Sequence, residues 1–192
     1  MIKATYTDKT VVIDILSASF DTNKSVNFVV KQDSKRKERI RVLIDYSFEI
    51  CYMFGDVYLS DDRKACALVL FPERKKTNLK TILLDAKLAL GCIGITRVGQ
   101  VLKRETLIKS NHPKKPMYYL WFLGVNPDAQ KRGRGSELIK YVIQKSVEEK
   151  RDIYLETSTL TNIPWYEKFG FKVVKELDLG YTLYIFKRDF LN

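Results

Sequence analysis

Apolar positions along this chain recur at two spacings, and the second half is the more sharply punctuated. Residues 10–20 (TVVIDILSASF) place Val11, Ile15, Ala18 and Ser19 near one helical face. Residues 35–53 predict a longer helix, with Ile40, Leu43, Ile44, Phe48 and Cys51 recurring at three and four. Residues 56–60 and 65–71 predict a strand pair around the polar turn Asp61-Asp62-Arg63, and Pro72 stops the second strand. Residues 79–91 and 95–109 predict two helices broken at Gly91 and Gly94.

Residues 117–125 (MYYLWFLGV) are nearly continuous apolar and aromatic, which predicts a central strand buried on both faces. Asn126-Pro127-Asp128 stops it. Leu138, Ile139, Val142, Ile143, Ser146 and Val147 stripe a helix from about 133 to 150. Residues 152–157 (DIYLET) predict a second buried strand. A short helix over 162–169 is closed by Gly170, a residue suited to the left-handed position past a helix end. Residues 171–177 and 181–187 predict a last strand pair across Asp178-Leu179-Gly180. The order strand, glycine-rich turn, helix, strand, helix, strand, strand predicts an α/β or α+β sheet with helices on its faces.

Composition narrows the class. The 192 residues are 45% hydrophobic and 12% aromatic, enough for a sizeable core. No repeat or low-complexity run divides them, so one domain is expected over 1–192. Cys51, Cys66 and Cys92 lack CxxC spacing and leave an odd one over, which argues for a reducing cytosol. The single His112 lies in the loop-like stretch NHPKKP and reads as a surface residue, not a catalytic one; no metal site is expected. No apolar stretch approaches the ~20 residues of a membrane helix. The start, MIKATYTDKT, lacks a signal-peptide core, so a cytoplasmic protein with no membrane partner is expected.

Charge adds a partner class. Lys+Arg total 34 against 23 Asp+Glu, a net +11, which suits a polyanion or a phosphorylated cofactor. The clusters Lys35-Arg36-Lys37, Arg74-Lys75-Lys76 and Lys114-Lys115 read as solvated faces. Nucleic-acid binding needs such charge on one face with stacking aromatics, and neither an RNA-binding signature nor zinc-finger spacing is present, so nucleic acid is not the expected partner. The cluster Lys131, Arg132 and Arg134 differs because glycines surround it.

Candidate chemistry concentrates there. In Leu123-Gly124-Val125-Asn126-Pro127-Asp128-Ala129-Gln130-Lys131-Arg132-Gly133-Arg134-Gly135-Ser136, a buried strand stops, turns and feeds a helix. The first amides of a helix lack intrahelical acceptors, glycines allow close approach, and the helix dipole favours an anion by about 0.3–1 kcal/mol when exposed. These amides with the three cations form a candidate pyrophosphate cradle. A P-loop fails because no Lys stands between Gly135 and Ser136. A dinucleotide fingerprint fails because Leu138 stands where its third Gly belongs. The pattern Gln130-x-x-Gly133-x-Gly135 fits a third motif, Q/R-x-x-G-x-G/A.

With Leu155-Glu156-Thr157 and then Trp165-Tyr166-Glu167-Lys168-Phe169-Gly170-Phe171 further along, the chain resembles the GNAT superfamily of acetyl-CoA-dependent N-acyltransferases over about 117–187. The resemblance implies a mixed, mostly antiparallel central sheet with helices on both faces, splayed between the strand ending at Val125 and the strand ending at Thr157. It implies an acetyl-CoA-binding half over 117–187 and a variable, helical, acceptor-side half over 1–110. The pantetheine arm would lie in the splay, paired with main-chain groups of Leu123 and Val125 on either side of Gly124. Amides from Lys131 to Ser136 would hold the pyrophosphate after Gln130. Asn162 and Tyr166 would face the thioester end, and Thr157 and Thr159 would also contact the cofactor. Many members carry Asn seven residues before this Tyr, where this chain has Thr159, whose reach is shorter; Asn162 is shared with a subset of small-molecule and antibiotic acetyltransferases.

The reaction so implied is direct transfer of acetyl to a small-molecule primary amine, with Tyr166 as acid toward the CoA sulfur and Glu156 as base. Tyr46, Glu49, Tyr52 and Met53 are positioned to line the acceptor pocket. Protein or peptide N-acetylation is the alternative within the class, and a non-catalytic anion- or nucleic-acid-binding module the alternative outside it. Homodimers are common in such folds, and no residue here singles one out.

Overall fold

The computed structural model describes residues 1–191. In chain order its elements are β1 (Ile2–Lys3), α1 (Lys9–Ser19), α2 (Lys24–Val29), α3 (Arg36–Phe54), β2 (Gly55–Leu59), β3 (Ala65–Leu70), α4 (Leu79–Leu88) and α5 (Val98–Ser110). Then come β4 (Tyr118–Val125), α6 (Arg134–Glu148), β5 (Ile153–Thr157), α7 (Ile163–Glu167), β6 (Lys172–Asp178) and β7 (Thr182–Arg188). The strands form one open sheet in the order β1-β2-β3-β4-β5-β7-β6. Every neighbouring pair is antiparallel except β4 and β5, which the α6 crossover makes parallel.

Two cores lie on opposite faces, and β3 separates them residue by residue. Cys66, Leu68 and Leu70 join the α1 and α3 side, with Leu16, Ile44 and Phe48; Ala65, Ala67 and Val69 join the α6 and α7 side, with Leu138, Val142 and Tyr166. Each large apolar side chain so buried contributes about 1.5–3 kcal/mol. The strand buried on both faces is therefore β3. On β4 burial alternates: Tyr118, Leu120, Phe122 and Gly124 are buried, whereas Tyr119, Trp121, Leu123 and Val125 are half-buried. The expectation of two closed faces for β4 is corrected, because β5 leaves its side after two residues.

The α3 stripe is buried as predicted. On α1 the buried residues are Val12, Ile13, Ile15 and Leu16, which shifts the expected face by one position. On α6 the stripe holds at Leu138, Ile139, Val142 and Ser146, while Val147 is exposed. The helix α2 and the short β1 carry no clear period and went unpredicted. The break between α4 and α5 contains a π turn over Ala89–Ile93, and Gly94 adopts φ +82°. After α7, the amide of Gly170 (φ +81°) donates to Glu167 and that of Phe171 to Tyr166, a Schellman closure that only glycine adopts without strain. The three cysteines are buried free thiols. No helix among the described residues is long and apolar enough to cross a membrane.

Gly55 starts β2 where α3 ends, and a Cβ there would lie 2.0 Å from the carbonyl oxygen of Val69. That oxygen belongs to the sheet backbone and cannot swing away. Gly55→Ala should cost at least about 2 kcal/mol, or about 4–8 °C of Tm for a chain of this size. Thermal denaturation checks it, and an unchanged Tm would contradict the packing described.

Candidate active site

The site begins where β4 and β5 part. Among the described residues they pair only as Tyr118↔Ile153 and Tyr119↔Tyr154, then diverge. The β3 register explains part of this. Leu68 faces Phe122 and Val69 faces Leu120, so Trp121 is an extra residue, a β-bulge that re-aims the remainder of β4. The amide of Asn126 donates to Lys64 across the β3 edge at 2.8 Å. Main-chain groups alternate along a strand, so Gly124 shares that edge and Leu123 and Val125 present theirs to the gap. The carbonyl of Val125 already accepts from Ser19 Oγ at 2.7 Å and from Gln130 Nε2 at 3.3 Å.

Helix α1 reaches this strand because residue 124 is glycine. A Cβ at Gly124 would lie 2.7 Å from Leu16 Cδ2 and 3.0 Å from Ser19 Oγ. On the far side the turn into α6 is strongly curved. Lys131 has φ +59° and Gly133 φ +83°. The first main-chain bond of the helix runs from the Glu137 amide to Gly133 at 3.0 Å. The amides of Arg134, Gly135 and Ser136 precede it and point out of the helix end, an arrangement suited to an anion. Gly135 sits against Trp165 and Val125, each 3.6 Å from where a Cβ would stand. Lys131 and Arg132 are exposed and have no ion pair among the described residues. Arg134 is committed elsewhere: its Nε binds Asp62 at 2.5 Å, in the turn between β2 and β3.

A cavity occupies the fork, walled by Phe20, Asn23, Trp121, Leu123, Glu156, Thr157, Asn162 and Tyr166. Thr157 Oγ1 accepts from the Thr159 amide at 3.1 Å and from Asn162 Nδ2 at 3.3 Å, so these three predicted residues tie the β5 end to the start of α7. The Tyr166 ring is packed by Trp165, Phe171 and Phe186. Burial pushes its phenol well above the ordinary tyrosine value, so it stays protonated at neutral pH. Its hydroxyl has no hydrogen-bond partner among the described residues, and Tyr166 is part of the cavity wall.

Glu156 is held at both oxygens. His112 Nε2 lies 2.6 Å from Oε1, and the Tyr119 hydroxyl donates to Oε2 at 2.5 Å. The surface assignment of His112 is corrected by this contact, since its side chain is only 11% exposed. Proximity across 44 positions leaves no trace in a linear pattern. Phe20, Asn23, Trp121 and Tyr119 were also missed as cavity or site neighbours, because aromatic and small polar residues in those contexts read as ordinary packing. Of the acceptor-side candidates, Tyr46 donates to Asp85 at 2.7 Å and sets its ring edge-on to Trp121 at 6.3 Å. Glu49 is enclosed by Lys9, Lys80 and Tyr6, which hold its carboxyl down at about 2 against the opposing effect of burial. Tyr52 stacks on Phe48 at 5.5 Å, and Met53 packs against the core of α1 and α3. No group of three metal-ligating side chains exists among the described residues.

A family model described as the acetyltransferase (GNAT) family matches residues 58–171. Solved structures with the same fold include a crystal structure titled as histone acetyltransferase HPA2 and related acetyltransferase from Corynebacterium glutamicum. It is 17% identical, with TM-score 0.70 over 98% of this chain and 94% of that one. Another is arylalkylamine N-acetyltransferase 2 from Aedes aegypti, 13% identical, TM-score 0.64, over 98% and 97%. A third is the C-terminal condensation domain of Ebony in complex with beta-alanyl-dopamine, 11% identical, TM-score 0.67, over 98% and 97%. At these identities the likeness is one of fold.

A hydroxyl without a protein partner adds little to stability. Tyr166→Phe should leave Tm within about 2 °C, equivalent to about 0.5 kcal/mol. A larger loss in thermal denaturation would mean that the phenol serves the packed interior.

Proposed function

This chain belongs to the GNAT family of acetyltransferases, whose acyl donor is acetyl-CoA, and from that premise we propose that it transfers acetyl from acetyl-CoA to the nitrogen of a small primary amine within a ternary complex. The observation that carries this reading is the fork. One strand edge that β5 leaves without a partner strand runs between outward-facing amides at the α6 start and Tyr166, a cavity-wall residue whose phenol is protonated. These groups suit the donor: amides for its diphosphate, Leu123 and Val125 main chain for its amide-bearing arm, Tyr166 for its sulfur. Lys131 and Arg132, exposed and without an ion pair among the described residues, supply further charge for its phosphates. In this reading the helices before about residue 110 shape the acceptor side and 117–187 form the donor side.

Bound acetyl-CoA supplies an activated acyl group and a thiolate leaving group. Tyr166 donates its proton to the departing sulfur, and its high proton affinity keeps it charged with that proton at neutral pH. Glu156 solves the opposite problem. An alkylamine with a lysine-like pKa near 10.4 is about 3.4 units too basic at pH 7, so reaching the neutral nucleophile costs roughly 4.6 kcal/mol. Glu156 is part of the cavity wall, and its carboxylate takes that proton, directly or through water. Thr159 and Asn162, bonded to Thr157, hold the turn that aims Tyr166.

The small-amine acceptor draws support from the aromatic wall on that side, where Trp121 stacks on Tyr119 at 6.4 Å and meets Tyr46 edge-on. A structure of the same fold is named an arylalkylamine N-acetyltransferase. Aromatic surface beside a carboxylate suits a cationic amine with an apolar body.

A thiol-release assay checks both roles. Tyr166→Phe should lower kcat by about 10²-fold or more while acetyl-CoA affinity by calorimetry stays unchanged; undiminished turnover would remove the acid role. Glu156→Gln should depress activity most at low pH, where nearly all acceptor is ammonium, and a uniform profile matching the parent would remove the base role.

A further inference from the structure

We infer that His112 is a positioning residue of this site: its Nε2–H, together with the Tyr119 hydroxyl, holds the Glu156 carboxylate in one orientation beside the fork. The inference rests on the reading of Glu156 as the base and adds to it a residue that acts only through that carboxylate.

The distance requires a shared proton, and the base role says where it sits. His112 Nε2 and Glu156 Oε1 are 2.6 Å apart. Two lone pairs facing each other at that separation repel, so a proton lies between them. With Glu156 as the carboxylate that the base role requires, that proton belongs to Nε2, because a carboxylate only accepts. An Nε2 that donates to Glu156 cannot take a proton from the acceptor. His112 is also absent from the cavity wall, whereas Glu156 is part of it.

The two donors come from different directions. Tyr119 stands on β4 at the last backbone pair before the fork, opposite Tyr154, and Glu156 is two residues further along β5 on the same face. Their hydrogen bond spans the strands where the backbone ladder has ended. His112 arrives from the end of α5, where its own amide donates to Lys109 at 3.1 Å, and its ring leans on Tyr119 with centroids 5.0 Å apart. One donor on each oxygen stops the carboxyl from rotating and leaves one lone pair per oxygen for the fork. The Glu156 side chain is only 9% exposed, so these two donors are the partners that satisfy its oxygens away from bulk water.

Nearby charge does not offer a substitute. On α5, Arg104 is bound by Glu105, Ser25 and Tyr181, and Glu105 is its counter-ion. Lys115, three residues past His112, pairs with Asp152 at 2.5 Å. On β7, the residue opposite Glu156 is the apolar Ile185. The proton path is then simple. An ammonium N–H breaks, its proton bonds to Glu156, and the nitrogen keeps the electron pair with which it attacks. His112 keeps its own proton throughout, and Glu156 releases the received one to water after the product departs.

The chain has one histidine, which makes the test unambiguous. In the full chain labelled with [15N]histidine, Nε2 should carry a slowly exchanging proton, and Glu156→Ala should abolish that slow exchange. A ring protonated only at Nδ1, or exchange unchanged in Glu156→Ala, would overturn the inference without any assay of activity. With acetyl-CoA and phenethylamine as probes, His112→Ala should lower kcat about 10- to 100-fold with KM for acetyl-CoA within twofold. His112→Gln, which keeps an N–H of similar reach, should recover most of the loss. Equal loss in Ala and Gln variants, or none in either, contradicts the role. Full activity in Glu156→Gln with the slow-exchanging proton present in the parent would instead sink the base assignment and leave the contact standing.

Discussion

Strands β4 and β5 stop pairing after two residues, and the site depends on that interruption. Main-chain donors and acceptors inside a fold must find partners, because leaving one buried and unmade costs about 1–3 kcal/mol. Here an interior strand keeps a stretch of such groups facing a gap. Both flanks hold the gap open. On one side α1 lies tight against Gly124, and Ser19 bonds the Val125 carbonyl. On the other, the α6 start and Trp165 pack at Gly135 and Val125. The bulge at Trp121 sets which groups of β4 face inward. A ligand carrying amides of its own meets that edge as a further strand does.

Much of this was legible in the chain, for a physical reason. Residues 117–187 are built from local signals: a strand that stops at Asn126-Pro127, glycines at a helix start, and a short helix closed by Gly170. Each encodes a backbone conformation within a few residues; β4 ends at Val125, and the two glycine signals are realised with positive φ at Gly133 and Gly170. The acceptor half was read only in outline. Its helices α3, α4 and α5 fell where the periods placed them, but α2 is six residues long and has too few turns for a period. The Arg97 guanidinium fastens it through the carbonyls of Phe28 and Val29. Likewise His112 looked like a loop residue between prolines, and what makes it a site neighbour is the course of the chain from α5 into β4.

Charge tells a similar story at finer grain. The net +11 suggested a polyanion, yet much of the positive charge is spent inside the molecule. Lys9 and Lys80 enclose Glu49, Arg39 grips Asp33, and Arg134 is tied to the turn between β2 and β3. Near the glycine-rich turn, Lys131 and Arg132 remain for a phosphate. In the proposed reading the backbone amides form the fixed part of a phosphate cradle, and these two exposed cations supply charge on its rim.

The most direct measurement is an amide NMR titration of the full chain with coenzyme A. The account predicts that the amides of Leu123, Val125, Gly135 and Ser136 shift and become protected from exchange, together with the Tyr166 ring signals. Saturation that leaves those amides unmoved, with perturbation confined to other surfaces, would contradict it.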